Sequence, residues 1–158
     1  MNKSTRRNIK LLSIAILSVA GLTLAYIYWQ MISQIWLHNF IRPIIWDPEI
    51  RGWQIFIFIG RFIGVTLLYI LCCIFLNRIN KALKDEVIFP KSNIALVRWS
   101  ALVAAFLAFI HSNYDAVVKG ESALMLDSNT ILVLLDVLLV AGLYRMAYLV
   151  AKDSNLAI

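Results

Sequence analysis

Four apolar segments, each long enough to cross a membrane, dominate this chain of 158 residues. A transmembrane helix needs about 20 mostly apolar residues, and the segments lie at about 10–30, 53–77, 94–114 and 130–151. Their apolar runs are continuous and lack the alternation of a membrane β-strand. With 61% hydrophobic residues and a mean hydropathy of +0.79, the chain is more apolar than a soluble domain of this length. The sequence therefore predicts an all-α integral membrane protein, a four-transmembrane-helix bundle that forms one domain over residues 1–158.

The first apolar segment is predicted to stay in the protein as a membrane helix. It runs from Leu11 to Trp29 without a charge, whereas the apolar region of a signal peptide usually spans about 7–15 residues. Ala20 and Ala25 offer only poor cleavage sites. An uncleaved first helix is therefore favoured over a signal peptide.

The basic residues are unequally divided between the two ends of the predicted helices. Eleven of the 15 Lys and Arg residues lie on one side, and three, Arg42, Arg51 and Lys119, lie on the other. Because Lys and Arg concentrate in cytoplasmic loops, the N-terminus and the C-terminus are both predicted to be cytoplasmic. This topology accounts for the formal net charge of +6, and no nucleic-acid partner is predicted.

Two connecting segments have compositions that place them at the membrane surface. The outer loop 31–52 is rich in aromatic and aliphatic residues and predicts an interfacial segment, with a lid over an outward-facing pocket as the alternative. The basic cytoplasmic link 78–93 predicts an amphipathic continuation of the second helix and contact with anionic lipid. The third helix is predicted to start near Ser92 or Asn93, which are good capping residues.

Small residues recur at helical spacing in the predicted spans. Helices in lipid associate where small side chains let their backbones approach closely. The candidate packing positions are Gly21, Ala25, Gly60, Gly64, Ala101, Ala105 and Ala108. They predict a compact bundle, and some of them equally suit an interface between copies of the chain.

Two charged residues, Arg61 and Asp136, fall inside predicted spans. A charge at the centre of a membrane helix costs about 2.5–3.5 kcal/mol on insertion scales, so each should face protein or water. Both residues lie on the order of 9–12 Å from the outer helix ends. Their matched depths predict an intramembrane ion pair that fixes helix register.

The alternative to a purely structural ion pair is a polar site in the outer half of the bundle. The candidate polar cluster would add Tyr26 or Tyr28, His111 and Ser112 to the two charges. Intramembrane ionisable residues of this kind often mark transport pathways. The sequence leaves the structural and the functional alternatives open.

No catalytic residues, metal site or cofactor are predicted. Ser112 and His111 are adjacent and would point about 100° apart on a helix, which is a poor arrangement for catalysis. His111 lacks the companion ligands that a metal or haem needs. Cys72 and Cys73 form no CxxC motif and are predicted to be reduced packing residues.

The segment LNRINKALKDEVIFPKSNIALVRW and the terminal YRMAYLVAKDSNLAI resemble a family of small bacterial membrane proteins, DUF2975, whose function is unknown. The shared features are a basic amphipathic turn before Phe89, a capped restart of the next helix, and a short polar tail that ends in a Leu-x-Ile pattern at Leu156 and Ile158. The resemblance implies four helices in the bacterial inner membrane and brings no catalytic residues. Members of the family are often encoded beside a small helix-turn-helix regulator, which implies a regulatory role.

The sequence thus predicts a non-enzymatic, multi-pass protein of the bacterial inner membrane that acts through protein–protein association. The expected partners are the lipid bilayer and either another membrane protein or further copies of the chain. The alternative is a small-solute or ion transporter, or its subunit, with Arg61 and Asp136 in its polar site.

Overall fold

The computed structural model describes residues 3–36, 44, 46–85, 87–119 and 128–156. Within these ranges the chain is helical and contains no strand. The elements, in chain order, are α1 (Lys3–Trp36), α2 (Arg51–Ala82), a 3-10 turn (Leu83–Asp85), α3 (Ser92–Lys119) and α4 (Ser128–Leu156). All four α-helices are long and apolar enough to cross a membrane. The prediction of an all-helical chain with four candidate spans is confirmed.

The helices are longer than the predicted spans at both ends. α1 continues to Trp36, so the predicted outer loop 31–52 begins as helix. α2 continues to Ala82 into the predicted link, and α3 begins at Ser92, as the capping residues indicated. Residues 37–43 and 45 of the outer loop lie outside the described residues, as do residues 120–127 between α3 and α4.

Packing is most extensive between helices that are consecutive in the chain. α2 and α3 share the largest interface, α4 packs on α3, and α1 packs less extensively on α2. Ile57 and Ile110 are fully buried between α2 and α3, close to the partly buried Trp53 and Phe109. This pair of helices forms the core against which the first and last helices are placed.

The two glycines of the GxxxG motif bring α2 close to α3. A Cβ atom on Gly60 would lie 2.9 Å from Ile110 Cδ1, and a Cβ atom on Gly64 would lie 2.7 Å from Leu107 Cδ2. Carbon atoms in contact are normally separated by about 3.5–4.0 Å. The motif therefore serves packing within the chain and is not free for an interface between copies.

α1 is held to α2 by one aromatic side chain and one glycine. The ring of Tyr28 stacks on Phe62 with 4.6 Å between ring centroids, and its hydroxyl is hydrogen-bonded to Thr66. Gly21 faces Tyr69, whose hydroxyl would lie 3.4 Å from an added Cβ. Ala25, a predicted packing position, is exposed. The contact stripe of α1 passes through Gly21 and Tyr28, and Ala25 lies beside that stripe.

The interface between α3 and α4 uses the alanine face of α3. Ala101 is buried, and Ala105 and Ala108 are partly buried. On the same face, Ser112 is hydrogen-bonded to Thr130 of α4 at 3.1 Å. This hydrogen bond fixes the position of α4 along the axis of α3.

A second set of contacts fixes the opposite end of the helices, at the predicted cytoplasmic link. The fully buried Asn93 donates a hydrogen bond from Nδ2 to the Phe75 carbonyl at 3.2 Å. Arg78 Nη1 donates to the Ser92 carbonyl at 2.6 Å. The Tyr144 hydroxyl of α4 donates a hydrogen bond to the Pro90 carbonyl of the link at 3.3 Å. The link is thereby fastened to α2, α3 and α4 together.

Candidate functional site

A polar cluster joins three helices near the end at which α1 ends and α2 begins. The Arg61 guanidinium of α2 lies over the Tyr114 ring of α3, with 4.2 Å between Cζ and the ring centroid. The Tyr114 hydroxyl donates a hydrogen bond to Gln34 Oε1 of α1. We call Gln34, Arg61 and Tyr114 the three-helix polar cluster. Among the described side chains it holds a cation inside a candidate span without a carboxylate, because the negative face of an aromatic ring attracts a guanidinium.

Buried polar residues surround this cluster. Ser33 and Asn113 are 2% and 1% exposed. Ser33 Oγ donates to the Gln30 carbonyl at 2.9 Å, and Asn113 Nδ2 donates to the Phe109 carbonyl at 2.8 Å. Buried polar groups need such partners, since an unsatisfied group costs roughly 1–3 kcal/mol. Among the described residues, most of the buried polar side chains lie at this end of the helix bundle.

Gln54 of α2 anchors the outer loop to the same region. This side chain is fully buried, and its Oε1 accepts a hydrogen bond from the Asp47 backbone N–H at 3.0 Å. Ile44, also in the loop, is 8% exposed. The loop is therefore held against the helices at Ile44 and at the Asp47 backbone, whereas Trp46 is exposed. This arrangement suits both the interfacial segment and the lid that the sequence left open.

The structure does not bring Arg61 and Asp136 together. Among the described residues, Asp136 forms no ion pair with Arg61, and its side chain is exposed on α4. The two helices pack extensively on α3 rather than on each other. Arg61 is also directed toward Tyr114. Equal depth was the basis of the predicted ion pair, but depth does not determine which helices are neighbours.

The other residues of the candidate polar cluster are distributed over three places. Tyr26 is exposed and accepts a hydrogen bond from Gln30 Nε2 at 2.9 Å. Tyr28 belongs to the contact between α1 and α2. His111 is exposed, whereas Ser112 bonds Thr130 at the contact between α3 and α4. These side chains do not form one site.

Asp136 occupies an unusual position for an acidic residue. The partly buried positions of α4 recur every three or four residues and form the stripe that faces α3: Val133, Leu134, Val137, Ala141, Tyr144, Ala147, Tyr148 and Ala151. Asp136 precedes Val137 by one residue, so its side chain points about 100° away from that position. Leu135 and Leu139, on either side of it, are 56% and 61% exposed. A carboxylate thus lies among exposed apolar side chains.

Neither cysteine forms a disulfide, and both Cys72 and Cys73 are partly buried in α2. Within the described residues, no three His, Cys, Asp or Glu side chains gather where they could hold a metal ion. The arrangement supplies a sequestered cation at Arg61 and an unpaired anion at Asp136. Both are suited to recognising an opposite charge.

Sequence reasoning missed Gln34, Gln54 and Tyr114. Gln34 falls in the segment assigned to the outer loop, and no sequence pattern singled out Gln54. The available signal was their spacing: Gln34 follows Met31 by three residues, and Met31 is itself 2% exposed. A helical stripe extended past residue 30 would have placed Gln34 on the contact face of α1.

The chain matches no protein-family model, no curated protein and no solved structure.

Proposed function

We propose that this is a non-enzymatic, multi-pass membrane protein that acts by binding another membrane protein or further copies of itself. The observation that carries the proposal is the exposed Asp136 in the apolar span of α4. Lipid tails cover exposed leucines without cost, but a carboxylate needs a polar partner or water. Such a residue marks a face that is incomplete in the isolated chain.

The unequal burial of the four spans supports this proposal. In the apolar 18-residue stretches of α2 and α3, 17% of the residues are buried inside the chain, compared with 6% in the corresponding stretches of α1 and α4. The first and last helices therefore present most of their surface outward. Because helix packing in lipid depends on close side-chain contact, these outward faces are where an additional helix can bind.

The proposed orientation has both termini in the cytoplasm of a bacterium and the chain in its inner membrane. The distribution of Lys and Arg supports this orientation. The first turns of α3 add to it, because a groove along one face is lined by Lys91, Arg98 and the 61% exposed Trp99. Basic and tryptophan side chains favour the headgroup level of an anionic membrane surface. Membership of the DUF2975 family and a regulatory role belong to the same proposal.

The native mass of the protein, measured after extraction from its own membranes, tests this proposal. The tagged chain is extracted in a mild detergent, and the intact particle is weighed and its components identified. We expect a particle heavier than the 18.0 kDa monomer that contains a second copy or another membrane protein in fixed stoichiometry. A monomer in several mild detergents and in lipid nanodiscs would contradict the proposal.

A second candidate function is transport of a small solute or ion, alone or as a transporter subunit. The observation that favours it is the three-helix polar cluster, in which a partly buried Arg61 is held inside a span. A sequestered cation suits a small anion. Chloride flux into proteoliposomes that is present in the wild type and lost in Arg61→Ala would favour transport over association.

A further inference from the structure

Asp136 is isolated from every other charge on its own helix. It is the only charged residue between Ser128 and Arg145, and it lies about 12 Å along the axis from the first residue of α4. Arg145 follows it by nine residues, so it points to the opposite side of the helix about 13 Å further on. An ion pair within α4 is therefore excluded by helix geometry.

The described side chains of the neighbouring helices do not supply a counter-charge either. Among the described residues, none forms an ion pair or hydrogen bond with the Asp136 carboxylate. Arg61 is the basic residue at a comparable depth, and it is engaged with Tyr114. α3 is the helix against which α4 packs extensively, and Asp136 is exposed at the edge of that contact stripe. Within the part of the chain that the structure describes, the carboxylate therefore has no partner.

A second copy of the chain is a poor occupant for this face. A two-fold axis along the outward side of α4 would bring Asp136 close to Asp136 of the other copy. Two carboxylates in a medium of low dielectric constant repel each other strongly. The charge therefore disfavours a symmetric dimer through this face and favours a different helix.

We propose that the outward face of α4 binds a transmembrane helix of another protein that carries a Lys or Arg at the depth of Asp136. This inference rests on the proposed function and names the chemistry of the partner. Leu135, Leu139 and Leu143 flank the carboxylate and provide the apolar contact. An ion pair that forms only when the two helices meet makes binding selective, since each charge is costly in lipid alone.

The proposal is tested with the full-length chain in phosphatidylcholine vesicles, which carry no net charge. The chain has a donor dye at its C-terminus, and the probe is a polyleucine transmembrane peptide with one central Lys and an acceptor dye. A central position makes the orientation of the peptide unimportant. Energy transfer above the level of random proximity measures binding, and the same peptide with Leu in place of Lys is the reference.

We expect the Lys peptide to bind the wild type at least tenfold more tightly than the all-Leu peptide. Asp136→Leu should abolish this difference, and Asp153→Leu, which removes an exposed carboxylate near the end of α4, should preserve it. Asp136→Lys should reverse the preference and bind a peptide with a central Asp. Because this last result is a gain of binding, it cannot arise from misfolding.

Equal binding of the Lys and all-Leu peptides to the wild type would overturn the proposal, as would unchanged Lys selectivity in Asp136→Leu. Failure of this inference is distinguishable from failure of the proposed function. If native membranes yield a companion protein that Asp136→Leu retains, association stands and the docking face is elsewhere. If no companion and no second copy is found, the proposed function itself fails.

Discussion

The Arg61 guanidinium lies 4.2 Å from the centre of the Tyr114 ring, so a cation in α2 is held by an aromatic side chain of α3. Tyr114 is 6% exposed, and its hydroxyl bonds Gln34 of α1. One tyrosine of α3 therefore contacts side chains of both α1 and α2. This contact replaces the ion pair that the sequence predicted for Arg61.

The contact between Arg61 and Tyr114 should appear as an energetic coupling. In a double-mutant cycle with Arg61→Gln and Tyr114→Leu, we expect a coupling of about 0.5–2 kcal/mol, the range of a partly desolvated cation–π contact. The free energy of unfolding in detergent micelles is the measurement. Additive single effects would show that the guanidinium gains nothing from the ring.

The glycine contacts predict a matched pair of substitutions. A Cβ atom on Gly64 would lie 2.7 Å from Leu107 Cδ2 and 2.9 Å from Leu107 Cγ, so turning one methyl group does not relieve the clash. Gly64→Ala should lower the free energy of unfolding by about 1–3 kcal/mol. Gly142, with nothing within 4 Å of an added Cβ, is the control, and Gly142→Ala should leave stability unchanged or raise it by up to about 1 kcal/mol. Equal effects at both positions would contradict the close packing of α2 on α3.

The buried Asn93 predicts a second matched pair of substitutions. Its side chain donates to the Phe75 carbonyl and is fully buried, whereas Asn77 on the neighbouring α2 is exposed. Asn93→Ala should lower the free energy of unfolding by about 0.5–1.5 kcal/mol, because it removes the hydrogen bond from the side chain to the Phe75 carbonyl. Asn77→Ala should change it by less than about 0.5 kcal/mol. Similar losses at the two sites would contradict the fastening of the link to α2.

Reporter fusions test the proposed orientation. A C-terminal green fluorescent protein should fluoresce, because that end is predicted to be cytoplasmic. An alkaline phosphatase fused within residues 120–127 should be active, since this loop is predicted to lie outside. The opposite pair of results would reverse the topology and the depth assigned to each charged residue.

The spans could be predicted from sequence because lipid acts on every residue of a membrane helix. A continuous apolar run is therefore visible without knowledge of its neighbours. The restart of α3 at Ser92 was also predictable, since a capping residue acts within one turn. Both predictions depend on local physical chemistry.

The partners of the charged residues could not be predicted in the same way. Depth along a helix follows from counting residues, but the angle at which α4 meets α3 depends on the shapes of both surfaces. Asp136 precedes Val137 of the contact stripe by one residue, and that offset of about 100° leaves its side chain exposed. Tyr114 was overlooked because an aromatic residue near a span end usually indicates the headgroup level.

The most direct test of association is photo-cross-linking from α4 in native membranes. A photoreactive amino acid replaces Leu139, on the outward face, or Val137, on the stripe toward α3. We predict that position 139 yields a covalent adduct with another protein, and that position 137 yields mainly links within the chain. Adducts with lipid alone at position 139 would contradict the claim that this face of α4 binds a partner.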